Sequence, residues 1–170
     1  MWIFLVCAAM VGLDQLVKYL VVSNMQLNQI IPVVPGILNL RYIQNDGAAF
    51  SFLAGKQIFL IIATSVALLA IAYILWKHRP KNKAVFFGFV LILAGGVGNW
   101  IDRVLNGYVV DYFEFVFVNF AVFNLADTFV TVGLVLFLAG YIYTEIKAYQ
   151  HKKLPDEGEA PLEDQSKTED

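Results

Sequence analysis

Four long apolar runs dominate this chain and leave it one kind of solution. They extend from Trp2 to about Val22, from Ile58 to Trp76, from Ala84 to about Ile101 and from about Ala121 to Tyr143. A helix needs about 20 residues to cross a bilayer, and each run supplies that length or close to it. In hydrocarbon every backbone N–H and C=O must be bonded within the segment, so each run is predicted as a transmembrane helix. Composition agrees: the 170 residues are 59% hydrophobic and 15% charged, against about 45–50% and about 25% in soluble domains. The first run has no basic leader and no small-residue cleavage site, and it carries Asp14 and Lys18. It therefore reads as a retained helix and not as a signal peptide.

Loop charge predicts the orientation. Lys77, His78, Arg79, Lys81 and Lys83 join runs two and three, and Lys147, Lys152 and Lys153 follow run four. The segment 23–57 carries only Arg41 and Lys56, and the one between runs three and four only Arg103. Basic residues mark the cytoplasmic side, so both termini are expected inside and both longer connections outside. Trp2 and Trp76 then fall at inner boundaries and Trp100 at an outer one, where interfacial anchors belong. Seven of the fourteen acids lie in the last fifteen residues, so the net charge of −2 describes a tail more than a surface. That tail, from about Pro155, has no aromatics or periodicity and is expected to be disordered. No basic stripe beside aromatics points to nucleic acid. Cys7 alone makes neither an intrachain disulfide nor a zinc site, and His78 and His151 read as solvated loop residues.

The outer segment is patterned. Leu38, Leu40 and Tyr42 alternate with Asn39 and Arg41, a strand signal. Pro32, Pro35 and Gly36 punctuate its start, and Asn45-Asp46-Gly47 turns after it. A second strand is expected over Tyr108–Val118, after the Asn106-Gly107 turn. Together they predict a small β-sheet platform on the outer membrane face.

The polar residues within the runs share one depth. Asp14 lies about eight residues from the outer end of run one, roughly 12 Å at 1.5 Å per residue, and Lys18 is one turn nearer the surface. Asn99, Asp102 and Arg103 sit at the outer end of run three; Asn124, Asp127, Thr128 and Thr131 stripe the outer half of run four. These read as one polar cluster opening outward. Each member also has a plainer reading. Asp14 and Lys18 can be a self-satisfied ion pair, Asp102 and Arg103 a helix-end anchor, and Asn124 an interhelical donor. Gly95, Gly96 and Gly98 suit close helix packing.

Asp127 is harder to dismiss. An ionised carboxylate in a membrane helix costs roughly 2.5–3.5 kcal/mol even on the lenient insertion scale, and its own run has no basic residue before Lys147. Its partner must come from elsewhere: Arg103, Lys18, or a proton shared with Asp111. Two adjacent carboxylates cannot both ionise easily. One can then take a proton from water while the other polarises a peptide carbonyl, with no metal, cofactor or nucleophilic side chain. His-Glu-x-x-His and Gly-x-Ser-x-Gly are both absent from the sequence.

Five strings then stand in order: Asp14-Gln15-Leu16-Val17-Lys18, Asn45-Asp46-Gly47-Ala48-Ala49-Phe50-Ser51, Gly98-Asn99-Trp100-Ile101-Asp102-Arg103, Val109-Val110-Asp111, and Phe123-Asn124-Leu125-Ala126-Asp127. Over about residues 10–135 the chain resembles the bacterial lipoprotein signal peptidases, the type II signal peptidases. It departs mildly where the family often has two glycines before the asparagine (here Ala94 precedes Gly95) and where Thr128 replaces a common serine. The resemblance implies a membrane aspartyl endopeptidase of the bacterial cell membrane. It would cut diacylglyceryl-modified prolipoproteins just before the lipidated cysteine, among membrane lipid and as a monomer. Asp111 and Asp127 match the catalytic pair. Asp14, Lys18, Asn45, Gly47, Asn99, Asp102, Arg103, Asn124 and Ala126 match supporting positions. Residues 1–150 would form the peptidase domain, with outer segments at about 23–57 and 102–120, and 151–170 a disordered acidic cytoplasmic tail. The alternative from another class is a small transporter or proton-relay subunit using Asp14, Lys18 and Asp127.

Overall fold

The structure, a computed structural model, describes residues 2–47 and 55–153. Four helices, α1 (Trp2–Asn24), α2 (Gln57–Tyr73), α3 (Lys83–Asn106) and α4 (Leu125–Lys153), accompany three strands, β1 (Ile30–Val34), β2 (Leu38–Asn45) and β3 (Val109–Phe115). A π-helical turn, Ile74–His78, extends α2, and each helical segment is long and apolar enough to cross a membrane. Exposed Leu5, Ile58, Leu69 and Val135 are what a bilayer solvates in place of water.

Small residues bring α3 and α4 together. A Cβ at Gly88 would meet the Gly133 carbonyl at 2.7 Å, and one at Gly133 would meet the Gly88 carbonyl at 2.7 Å. Gly95 faces Ala126, and Gly140 faces Ala84 and Val85. Ala126, Gly133 and Gly140 recur every seven residues, as do Gly88 and Gly95. Without a hydrophobic drive between helices in lipid, such backbone proximity is how membrane helices gain packing. Gly96 instead packs on Leu68 of α2.

The sheet has the order β1-β2-β3, antiparallel throughout. Two strands were expected, and the described residues form three. β1 is hidden in sequence by Pro32, which the edge position and a bulge between Pro32 and Val34 accommodate. The second expected strand, Tyr108–Val118, narrows to Val109–Phe115. The alternation in β2 holds: Leu40 and Tyr42 enter a core with Val21, Met25, Val110 and Tyr112, while Asn39 and Arg41 bond Glu114 across the sheet at 3.0 and 2.7 Å.

Two boundaries of run four shift. Its helix begins at Leu125 and not Ala121, because Phe113 and Phe123 form an antiparallel bridge, N–H to O at 2.7 and 3.0 Å, that holds the chain extended up to Asn124. At its other end the helix continues to Lys153, taking in residues 151–153 that were assigned to the tail. The remainder of the tail and the Ala48–Ser51 part of the second motif lie outside the described residues.

Candidate active site

The turn at Asn106-Gly107 starts the construction. Gly107 takes a left-handed φ of 78° and its N–H bonds the Arg103 carbonyl at 3.1 Å, an ordinary glycine helix stop. The chain reverses into β3, whose Val110 N–H donates to Asp102 Oδ2 at 3.1 Å. After β3, the Phe113–Phe123 bridge folds the chain back once more. The segment 111–127 thus becomes a loop whose two ends, Asp111 and Asp127, line the same cavity of about 110 Å³ with Asn45, Asn99, Arg103 and Phe123.

Asn124 is the joint of that loop. Its side-chain Oδ1 accepts the Asp127 N–H at 2.9 Å, and Asp127 Oδ2 accepts the Asn124 N–H at 3.1 Å. This is a reciprocal capping box at the start of α4. The side-chain amide of Asn124 meanwhile donates to Asp111 Oδ1 at 2.6 Å, to Asn99 Oδ1 at 3.0 Å and to the Val110 carbonyl at 3.3 Å. The expected interhelical donor is therefore also the N-cap, and it links the two carboxylates.

Each carboxylate oxygen has its own donor. Asp111 Oδ2 receives Asn45 Nδ2 at 2.9 Å, and Asp127 Oδ1 receives Asn99 Nδ2 at 2.7 Å. Asn45 Oδ1 accepts the Gly47 N–H at 2.9 Å, and Arg103 Nη2 donates to the Gly47 carbonyl at 2.9 Å. Arg103 Nε is buried and has no hydrogen-bond partner among the described residues. Asp111 is 2% exposed. Burial pushes its carboxyl up to about 7, and the neighbouring Asp127 charge pushes in the same direction. Asn45 and Asn124 pull against that shift by bonding the anion.

The one cluster expected from sequence is two. Asp14, Lys18 and Asp102 do not line the cavity; they form a closed knot behind it. Lys18 Nζ donates to Asp14 Oδ2 at 2.9 Å, Asp102 Oδ2 at 3.0 Å and Asn99 Oδ1 at 2.8 Å. Three ammonium protons meet three acceptors, so Lys18 is not the partner of Asp127. Gln15 Nε2 stitches the knot further, reaching Asp102 Oδ1 at 2.9 Å and the Gly98 carbonyl at 3.1 Å. Asp14 Oδ1 accepts the Ala126 N–H at 3.0 Å. That offsets the knot's excess negative charge with the positive end of α4. A Cβ at Gly98 would stand 2.6 Å from Asp14 Oδ2, so glycine is required there. Asn99 is shared by the knot and the cavity.

The exposed first turn of a helix leaves its N–H groups without partners. Here they are all taken: Leu125 by the Tyr112 hydroxyl at 3.1 Å, Ala126 by Asp14, Asp127 by Asn124. Tyr112 is fully buried. Gln15 sits inside one of the quoted strings and Tyr112 directly follows another, yet neither carried a role from sequence. For Asn124 the capping-box spacing Asn-x-x-Asp was the available signal. Thr128 turns its hydroxyl to the Asn124 carbonyl at 3.1 Å, and Thr131 is exposed, so the expected stripe of run four does not extend past Asp127.

A family model described as Signal peptidase (SPase) II matches residues 6–143. The lipoprotein signal peptidase of Streptococcus thermophilus (strain CNRZ 1066) is 45% identical over 130 residues, 76% of this chain and 85% of that protein. The protein of the same name from Enterococcus faecalis is 42% identical over 149 residues, 88% and 92%. A bacterial membrane enzyme solved by the in meso method at 2.3 Å superposes with a TM-score of 0.77 at 32% identity, covering 94% of each chain.

Proposed function

The chain belongs to the signal peptidase II family, and from that premise we propose that it removes the signal peptide from prolipoproteins with a water molecule activated between Asp111 and Asp127. The observation that carries this reading is that both carboxylates line one small cavity while the same asparagine, Asn124, bonds each of them.

The two acids have different surroundings. Asp127 lies in the first turn of α4 and accepts a backbone N–H; both features favour an anion. Among the described residues Asp111 accepts only side-chain amides, and its carboxyl is pushed up to about 7. At rest Asp111 holds the shared proton and Asp127 is ionised. Asp127 takes a proton from water as the water oxygen adds to the scissile carbonyl carbon. Asp111 gives its proton to the carbonyl oxygen. Collapse of the resulting diol breaks the C–N bond: one hydroxyl returns its proton to Asp111 as the carbonyl re-forms, and the proton on Asp127 leaves with the new amine. The bond cut is the one preceding a diacylglyceryl cysteine. With the basic end of the bundle in the cytoplasm, the cavity opens at the outer face, where a lipid-anchored cysteine sits.

The proton-relay alternative needs polar groups through the bilayer depth. The buried polar residues Asp14, Lys18, Asn99, Asp102, Asp111 and Asn124 gather instead at the sheet end. The test is processing of a prolipoprotein in membranes by Asp111→Asn and Asp127→Asn. Each is expected to abolish cleavage, and near-normal cleavage by either overturns the proposal.

A further inference from the structure

A second cavity lies at the opposite end of the α3–α4 pair, far from the two aspartates. It is an open groove of about 530 Å³. Its walls are the small or apolar Ala84, Ala139, Gly140 and Tyr143, and its rim carries Lys81, Lys83 and Lys147.

The frame of this cavity is fixed. Asn82 caps α3 by accepting the Ala84 N–H at 2.9 Å, and its amide donates to the Gly140 carbonyl and the Thr144 hydroxyl, both at 2.9 Å. Gly140 is buried at the crossing, where a Cβ would meet Ala84 Cβ at 2.9 Å. Asn82 is thus engaged on every side. The three ammonium groups are not: among the described residues none has a carboxylate at ion-pair distance. Glu145 stands two positions from Lys147 and so on another face of α4.

Depth identifies the occupant. From Leu125 to Lys147 is about 33 Å of helix at 1.5 Å per residue, close to the ~30 Å of bilayer hydrocarbon. If the aspartates lie at one interface, the lysines stand at headgroup level of the other leaflet, with apolar walls running toward the acyl region. Cations at that level attract anionic lipids, each strengthening association about fivefold.

We propose that the Lys81–Lys83–Lys147 cavity between α3 and α4 binds the phosphate headgroup of an anionic phospholipid, with the first acyl methylenes against Ala139 and Tyr143. The ligand is a structural lipid, distinct from any substrate of the dyad.

The test is native mass spectrometry of the full chain, released from detergent holding equimolar phosphatidylglycerol and phosphatidylcholine. The wild type is expected to retain phosphatidylglycerol at least tenfold more often. The Lys81→Gln/Lys83→Gln/Lys147→Gln variant should fall to near parity, whereas Lys152→Gln should keep the preference. Processing by the triple variant in zwitterionic lipid, with unchanged melting temperature, shows that it is folded. Parity in the wild type, or an undiminished preference in the triple variant, overturns the proposal. So does displacement of the lipid by millimolar inorganic phosphate, which would indicate a free-anion site. So does a preference that appears only when the seven acids of residues 156–170 are neutralised, which would mean that the tail fills the groove.

Discussion

Asn124 does two separable jobs, and substitutions can divide them. As N-cap its oxygen accepts the Asp127 N–H; as donor its amide holds Asp111 Oδ1 at 2.6 Å. Serine keeps a capping oxygen and loses the donor; alanine loses both. An N-cap changed to alanine costs about 1 kcal/mol, and a buried acceptor left without its donor about 1–3 kcal/mol. Asn124→Ala should therefore lose about 2–4 kcal/mol of stability, and Asn124→Ser about 1 kcal/mol less than that. Asp111 becomes an anion as it gives up its proton, and a hydrogen bond to a charged group is worth about 1.5–3 kcal/mol. If it orients Asp111 for proton transfer, its loss should slow cleavage by about 10- to 150-fold in both variants alike. The assay is turnover of a lipidated signal-peptide substrate in nanodiscs, with thermal unfolding of the same samples. Near-wild-type turnover by Asn124→Ser would refute the reasoning, since the capping box alone would then account for the residue. A rate that tracks stability across the two variants would refute it equally.

Other substitutions test the parts around it. Because Asp111 is raised to about 7, cleavage should fall as pH rises through about 7, read from initial rates between pH 5 and 9. The same raised carboxyl binds its proton in the folded state after the unfolded chain has lost it, so stability should decline between about pH 4 and pH 7 and level off above. Tyr112→Phe removes the hydroxyl that accepts the half-buried Leu125 N–H, at about 0.5–1.5 kcal/mol, and should lower kcat more than it raises KM. Gly98→Ala drives a methyl toward Asp14 Oδ2 and should cost about 1–3 kcal/mol with loss of activity, measured by denaturation in detergent.

The four spans were legible because hydrocarbon demands long apolar helices and little else, and the polar residues stood out against them. The strand of Leu38–Asn45 was legible because its two faces meet different surroundings. β1 was not, since Pro32 ordinarily argues against a strand and only its edge position rescues it. The pairing of Asp111 with Asp127 was open to inference, but not the means. Nothing local says that Phe113 bonds Phe123, and that bridge delays α4 until Leu125 and makes Asn124 its cap. The split of the polar cluster was equally hidden. Lys18 lies near several acids in depth, and only the rotation of α1 against α3 decides that it takes Asp14 and Asp102 and leaves Asp127 to amides.

The bond between Asp14 and the Ala126 N–H spans 112 positions of sequence, and this orders events in time. A ribosome delivers α1 to the membrane long before α4 exists. Until then Asp14 has only its own helix, Lys18 one turn away and the Gln15 amide at 3.3 Å, to make its entry into lipid tolerable; α3 then adds Asp102 to Lys18. The last span to arrive, α4, closes the knot from the far end of the chain, and the same movement carries Asp127 up to Asp111. A chain halted before α4 would hold its first-helix acid only half compensated and would lack one of its two aspartates at the cavity. Completion of the fold and completion of the dyad are a single step of biosynthesis.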